Sequence, residues 1–316
     1  MKPKEHILQE LEKLKELNPR EIPKENLCDE IYRLVMSKKF RKYSVNPEYQ
    51  DHIRSAIKLN LDKNEPIKFT LAFGGYKLWR LKESPLVDWA ELFSLIYYVN
   101  WVKPIAEIYK PGIWFDFFSD DVVVPLIDNI PEEDLKTYRR SFLELLDFVK
   151  PYLPKNIKIT FNRVGDQYRS FEEFKNELDE KLIIIKENFL PLTAEQMATL
   201  DLNVKITEEQ KRDPKWHEKV QMLHDAYAGI SKRRPYYRNP EKIMVVPSAM
   251  INTLPVGTTK TSIAKFWVGA GALKREGESF REYVLTPKQL ENNQFSEEQI
   301  DIPGLGSKNF KTIRIF

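Results

Sequence analysis

An α/β fold with a largely parallel sheet, a helical N-terminal preface and a β-rich C-terminal half is predicted by three observations on this 316-residue chain. Between Pro66 and Lys186, apolar runs of period 2 alternate with longer runs of helical period. That alternation marks parallel strands joined by crossover helices. The first 62 residues carry helical periodicity alone, and after Leu190 short apolar runs bounded by turn residues take over. Three regions are therefore expected: a helical N-terminal region at 1–62, an α/β core at 63–190, and a mixed helical and β-rich region at 191–316. The last region is either continuous with the core sheet or a lobe of its own.

Each element has a local reason. Ile7, Leu8, Leu11, Leu14 and Leu17 form one stripe of a helix over 4–17, which Asn18-Pro19 ends. A second helix over 24–36 turns Leu27, Ile31, Leu34 and Val35 inward. A third covers 47–61, with Asn46 suited to its cap and Pro47 to its first turn. Ile67, Phe69, Leu71 and Phe73 alternate as a strand until Gly74-Gly75 breaks the pattern. Asp88 begins a long helix that runs to about Tyr109, with an interruption or kink at Pro104. Residues 113–118 are a strand. The next helix opens at 130–133 and buries Leu135, Tyr138, Phe142, Leu145, Leu146 and Val149 on one face. A strand at 156–161 and a helix at 171–186 complete the alternation. Beyond them, 193–200 and 214–228 have helical spacing, and strands are expected at 243–246, 251–254, 264–268, 280–285 and 311–316.

Composition narrows the class of function. Apolar residues make up 42% and charged residues 31%, a globular balance. With 50 basic against 47 acidic residues the formal charge is +3, which argues against a broad nucleic-acid surface. A single cysteine, Cys28, excludes an internal disulfide framework and a multi-cysteine metal site. The opening segment is charged throughout and has no apolar core of signal-peptide length. No window approaches the roughly 20 apolar residues of a membrane span. A soluble, cytoplasmic protein with small-molecule rather than membrane partners is the expectation. Aromatic content is high at 12%, so a large aromatic core is expected, with some rings left to line a cleft.

Ligands in open α/β sheets collect at the carboxyl ends of the strands, and polar residues there are the candidates for chemistry. Lys77 follows the glycine pair after the first strand, where it could hold a phosphate or carboxylate or form an imine. Asp120 and Asp121 close the second strand. They could act as a base, bind a divalent cation, hold sugar hydroxyls, or simply cap the next turn. By alternation Asp116 shares a face with Asp120. Arg163, just past the third strand with Asp166 and Tyr168, suits a carboxylate or phosphate clamp, or a structural Arg–Asp pair. Gly257 to Ser262 is rich in hydroxyls. Thr258 and Thr259, with Lys260 and Lys265 beside them, have the composition of a phosphate cradle without P-loop spacing, and equally that of a hairpin. His6, His52, His217 and His224 have no metal-pair spacing. Neither His-Glu-x-x-His nor Gly-x-Ser-x-Gly occurs, which argues against zinc and serine hydrolases. The segment 231–242 joins cations to rings in a way that could stack on single-stranded nucleic acid, but a solvated surface loop is the expectation.

Taken in order, Phe73-Gly74-Gly75-Tyr76-Lys77, Asp88-Trp89-Ala90-Glu91, Tyr109-Lys110-Pro111-Gly112, Ser119-Asp120-Asp121 and Tyr138 resemble the isonitrile (isocyanide) synthase family. The resemblance covers residues 66–149. Two departures stand out: the family's Phe-Pro-x-Lys turn is Phe-Gly-Gly-Tyr-Lys, and the glycine of its Ser-Asp-Gly is Asp121. The resemblance implies a Rossmann-like fold. It also implies a transferase or lyase of secondary metabolism that condenses the amine of an amino acid with the carbonyl of the phosphosugar ribulose 5-phosphate. Such chemistry needs a cation for the phosphate, an acid/base for imine formation and a clamp for the carboxylate. Lys77, Asp120 and Arg163 could fill these roles, with the 257–262 segment as a second phosphate site. No cofactor is required, although the acidic pair could hold a divalent metal. From a different class, the alternative is a non-catalytic nucleotide- or RNA-binding protein using 231–242 and 257–265.

Overall fold

A computed structural model describes residues 1–41, 43–72, 85–246, 252–259 and 270–316. Helices α1 (Pro3–Lys15), α2 (Lys24–Val35) and α3 (Pro47–Asp62) form the preface. Asn46 caps α3 through its side chain, which accepts from the Glu48 amide at 2.9 Å, and Pro47 follows in the first turn. The core is a five-stranded sheet of β1 (Ile67–Ala72), β2 (Ile113–Ser119), β3 (Ile157–Arg163), β4 (Lys242–Val246) and β5 (Leu254–Pro255). Every pairing is parallel and the order is β3-β2-β1-β4-β5, a Rossmann-like arrangement with its reversal between β1 and β4.

Helix α4 (Trp89–Ala106) connects β1 to β2 and is the most buried of the described helices. Its start is fixed by Asp88, whose carboxylate accepts from the Ala90 amide at 2.6 Å while its own amide donates to Glu91 at 2.8 Å. The helix is apolar on nearly every side, so it must be covered on nearly every side. Tyr98 and Trp101 pack on Phe69 and Phe115 of the parallel sheet, with ring centroids 4.9–6.2 Å apart. Its opposite side meets a second sheet. Pro104 lies inside the last turn and the helix runs on past it to Ala106.

After β2 come α5 (Val124–Asp128) and α6 (Glu132–Val149). After β3 come α7 (Phe171–Glu187), α8 (Ala194–Asn203), α9 (Glu208–Lys211), α10 (Trp216–Ala228) and α11 (Arg234–Tyr237). The second sheet is built from β6 (Ala270–Glu276), β7 (Ser279–Leu285), β8 (Ser296–Gln299) and β9 (Thr312–Ile315), in the order β7-β6-β9-β8. It is mixed: β6–β7 and β8–β9 are antiparallel, while β6–β9 is parallel. Helix α12 (Pro287–Asn292) lies between β7 and β8. Gly271 lets β6 lie against the start of α4, because a Cβ there would come 2.3 Å from the Trp89 Cβ.

Two strand expectations need adjustment. Residues 252 and 253 form a turn, and the strand they precede is the two-residue β5, which joins the parallel sheet at its edge. The strand expected at 264–268 lies outside the described residues. The Tyr-Lys-Pro-Gly motif is structural in character, since it sits at the entry to β2 rather than at its carboxyl end. Tyr109 donates to the Glu65 carbonyl at 2.8 Å. Gly112 adopts φ +73°, and a Cβ on it would lie 1.8 Å from the Asn156 carbonyl oxygen.

Candidate functional site

Alternation along the core strands separates two faces. Phe69, Phe115 and Phe117 turn to α4 and α6, whereas Thr70, Asp116 and Phe118 turn the other way. Phe118 stacks on Tyr236 with centroids 4.5 Å apart, so the 231–237 segment covers this second face. One residue past β2, at the carboxyl edge of the sheet, lies Asp120, only 8% exposed. Its Oδ1 accepts from the Tyr227 hydroxyl at 2.5 Å and its Oδ2 from the Tyr237 hydroxyl at 2.8 Å. The Arg233 Nε is 3.5 Å from Oδ1. The Arg233 guanidinium lies 3.6 Å from the Tyr237 ring centroid and 4.9 Å from that of Tyr227. A carboxylate, a guanidinium and two phenols thus form one compact unit.

Local structure explains how Arg233 reaches this place. Glu177 on α7 accepts from the Tyr168 hydroxyl at 2.6 Å, from the Ser231 amide at 2.6 Å and from the Ser231 hydroxyl at 3.1 Å. That anchor fixes the start of the 231–233 turn, and Pro235 then suits the first turn of α11. Tyr227 occupies the last turn of α10, and His224 precedes it by three residues, on the same helical face.

The electrostatics are those of a dry, paired cluster. Burial drives the Tyr227 hydroxyl well above its usual range, and Asp120 adds to the effect, so the phenol stays a donor. Burial works against the Arg233 charge, but Asp120 and the two phenols outweigh it and hold the guanidinium ionised. His224 is pushed below its ordinary value of 6.5, first by burial and then by Arg233, which leaves a neutral imidazole at neutral pH.

Asp121 faces different company. It accepts from the Ser119 hydroxyl at 2.7 Å. Across from it, the Tyr138 hydroxyl of α6 lies 3.4 Å from Glu91, and burial, Glu91, Asp121 and Asp88 together keep that phenol protonated. The acidic pair therefore serves two neighbourhoods.

The remaining sequence candidates fall as follows. Asp116 is nearly enclosed: Lys242 donates to it at 2.5 Å, Asn162 at 2.7 Å and Thr160 at 3.0 Å. Arg163 lies 3.8 Å from both Glu132 and Asp166, and Asp166 pairs more closely with Arg139, at 2.5 Å. Tyr168 belongs to the Glu177 anchor. Thr258 and Thr259 are buried just after β5, where the Gly257 amide donates to the Phe40 carbonyl at 3.0 Å. Among the described residues no contact joins these threonines to Asp120. Lys77, Lys260 and Lys265 lie outside the described residues. No group of three or more His, Cys, Asp or Glu is placed to hold a metal ion among the described residues. The segment 231–242, expected as a solvated loop, instead turns Arg233 and Tyr236 inward onto the sheet. Tyr227, Tyr237, Arg233 and His224 were not singled out as site residues from the sequence. The signals were present as cations and rings in 231–238 and the i, i+3 spacing of His224 and Tyr227.

No protein-family model matches the chain, and no curated protein matches it. Among solved structures, the crystal structure of the PvcA protein from Pseudomonas aeruginosa matches with a TM-score of 0.60 over 92% of this chain and 99% of that one. At 15% sequence identity the likeness is one of fold.

Proposed function

We propose that this chain is an enzyme of small-molecule secondary metabolism that condenses an amino-acid-like substrate with a phosphosugar, in the manner of an isonitrile synthase. One observation carries the proposal: the chain whose residues 66–149 resemble the isonitrile synthases has a fold that corresponds almost end to end with that of PvcA. The Ser119-Asp120-Asp121 tripeptide stands at the carboxyl end of β2, where open α/β sheets take their ligands.

In such a condensation the amine attacks the ketone carbon, a proton passes from nitrogen to oxygen, and water leaves to give an imine. The amine must first lose the proton of its ammonium form. His224 is uncharged at neutral pH and can accept it. Asp120 holds Tyr227, Tyr237 and Arg233 in one fixed arrangement, so little reorganisation is needed when substrate arrives. Lys77 and the 257–265 segment remain the proposed phosphate contacts. The nucleotide- or RNA-binding alternative would rely on 231–242, but Arg233 and Tyr236 are turned to the interior and no observation favours it.

Thermal unfolding with aromatic amino acids, ribulose 5-phosphate, nucleotides and a short RNA tests the proposal. A ligand at about 100 times its dissociation constant should add about 2.7 kcal/mol. Stabilisation by the amino acid or the phosphosugar is expected. Stabilisation by nucleotide or RNA alone would overturn it.

A further inference from the structure

We propose that Arg233 is the substrate-carboxylate clamp of this site, binding a monoanionic carboxylate in the plane of its guanidinium. Resting on the proposed function, the assignment names the residue that selects one of the two substrates. It begins from the donor inventory. A guanidinium has five N–H groups in a fixed fork. The Arg233 Nε is sealed from solvent, makes no hydrogen bond and stands 3.5 Å from Asp120. Tyr237 also shares a hydrogen bond with the guanidinium, and 18% of the side chain stays exposed, with neither Nη atom among the sealed ones. One face of the group is covered by the Tyr237 ring at 3.6 Å, and Tyr227 lies at 4.9 Å. What remains for a ligand is the edge that carries the Nη donors. An edge of two parallel N–H groups matches the two oxygens of a carboxylate.

Charge decides between carboxylate and phosphate. Asp120 already offsets the single positive charge of Arg233. A dianionic phosphate placed here would meet a carboxylate at close range with no second described cation beside it. A monoanion whose own ammonium can turn toward Asp120 meets one positive and one negative group in a buried setting, where such pairing is strongest. Arg163 is the less suited candidate, because Glu132 and Asp166 flank it at 3.8 Å, Asp166 within its own 3-10 turn. The Tyr168–Glu177–Ser231 anchor has a reason under this assignment. It holds the backbone of the turn two residues before the clamp.

The test is calorimetric titration of the full chain with tyrosine and tyramine, which differ only by the carboxylate, and separately with ribulose 5-phosphate and inorganic phosphate. Wild-type protein should bind tyrosine and lose affinity for tyramine by about 10- to 100-fold, the scale of hydrogen bonds to a charged group. Arg233→Lys keeps the charge and the stem but not the fork, and should weaken tyrosine by a similar factor while phosphosugar affinity stays within about twofold. Arg233→Gln should do the same, and an unchanged unfolding midpoint of the lysine variant shows that the fold is kept. Equal binding of tyrosine and tyramine, no binding of tyrosine by the wild type, or a loss confined to the phosphate ligands would each overturn the assignment. Failure of the proposed function reads differently: tyrosine would bind through Arg233, yet no condensation product would form with the phosphosugar.

Discussion

At the scale of single residues, the centre of the site is a carboxylate whose two oxygens are each taken by a phenol. Asp120 draws those phenols from positions 107 and 117 residues further along the chain. Hydrogen bonds to an ionised group contribute about 1.5–3 kcal/mol each. Tyr227→Phe, which keeps the buried ring, should therefore lower the denaturant-derived stability by about that amount, and Tyr237→Phe by less, since its ring is less buried. His224 carries a pH prediction. Folded, its pKa lies below 6.5; unfolded, it returns to about 6.5. Protons thus favour the unfolded chain. The contribution of the neutral imidazole is fully present above 6.5 and falls away as the pH drops toward the folded value. Thermal midpoints measured from pH 7.5 to 5.5 should decline less steeply in His224→Gln than in the wild type. Of this cluster, Asp120 was legible in the sequence because it closes a strand. Its partners were not, because pairing across more than a hundred residues leaves no periodic trace, and a run such as Lys232-Arg233-Arg234 has the composition of a surface.

At the scale of elements, periodicity conveys most of what can be read. The strands β1, β2, β3, β4, β7 and β9, and every described helix longer than nine residues, follow apolar patterns in the sequence. Helix α4 is recognisable by its Asp88 cap and by apolar residues on all sides, which imply burial between two layers. The strands that escaped have physical reasons to. β8 is short, charged and at an edge, and β6 ends in exposed Lys274, Arg275 and Glu276. Glycines at close approaches are equally silent until partners are known. Gly271→Ala should cost about 1–3 kcal/mol by overpacking against Trp89 and the Ala90 amide. Gly112→Ala adds a left-handed φ of +73° to a clash with Asn156 and should cost more than Gly271→Ala in the same urea titration. A neutral outcome at either position would mean that the packing of α4, or the entry to β2, is looser than these distances require.

At the scale of the whole molecule, two sheets share the long buried helix between them. The helical preface is tied to the second sheet through His6, which lies 2.6 Å from Glu282 of β7. The carboxyl edge of the parallel sheet is then covered by the 216–237 region, which brings Tyr227, Arg233 and Tyr237 onto Asp120. The fold matches that of PvcA over 92% of the chain at 15% identity, so the likeness lies in the arrangement of strands and helices rather than in most side chains. Under the proposed function, the edge of the sheet would act on a bound amine and a carbonyl. The most direct test is mass spectrometry of the purified protein incubated with tyrosine or tryptophan and ribulose 5-phosphate, beside Asp120→Ala protein of intact circular dichroism. The account predicts a product that retains the amino-acid nitrogen and gains carbon from the sugar, formed by the wild type and lost in the variant. Absence of such a product from the wild type, or its formation at equal yield by Asp120→Ala, would contradict it.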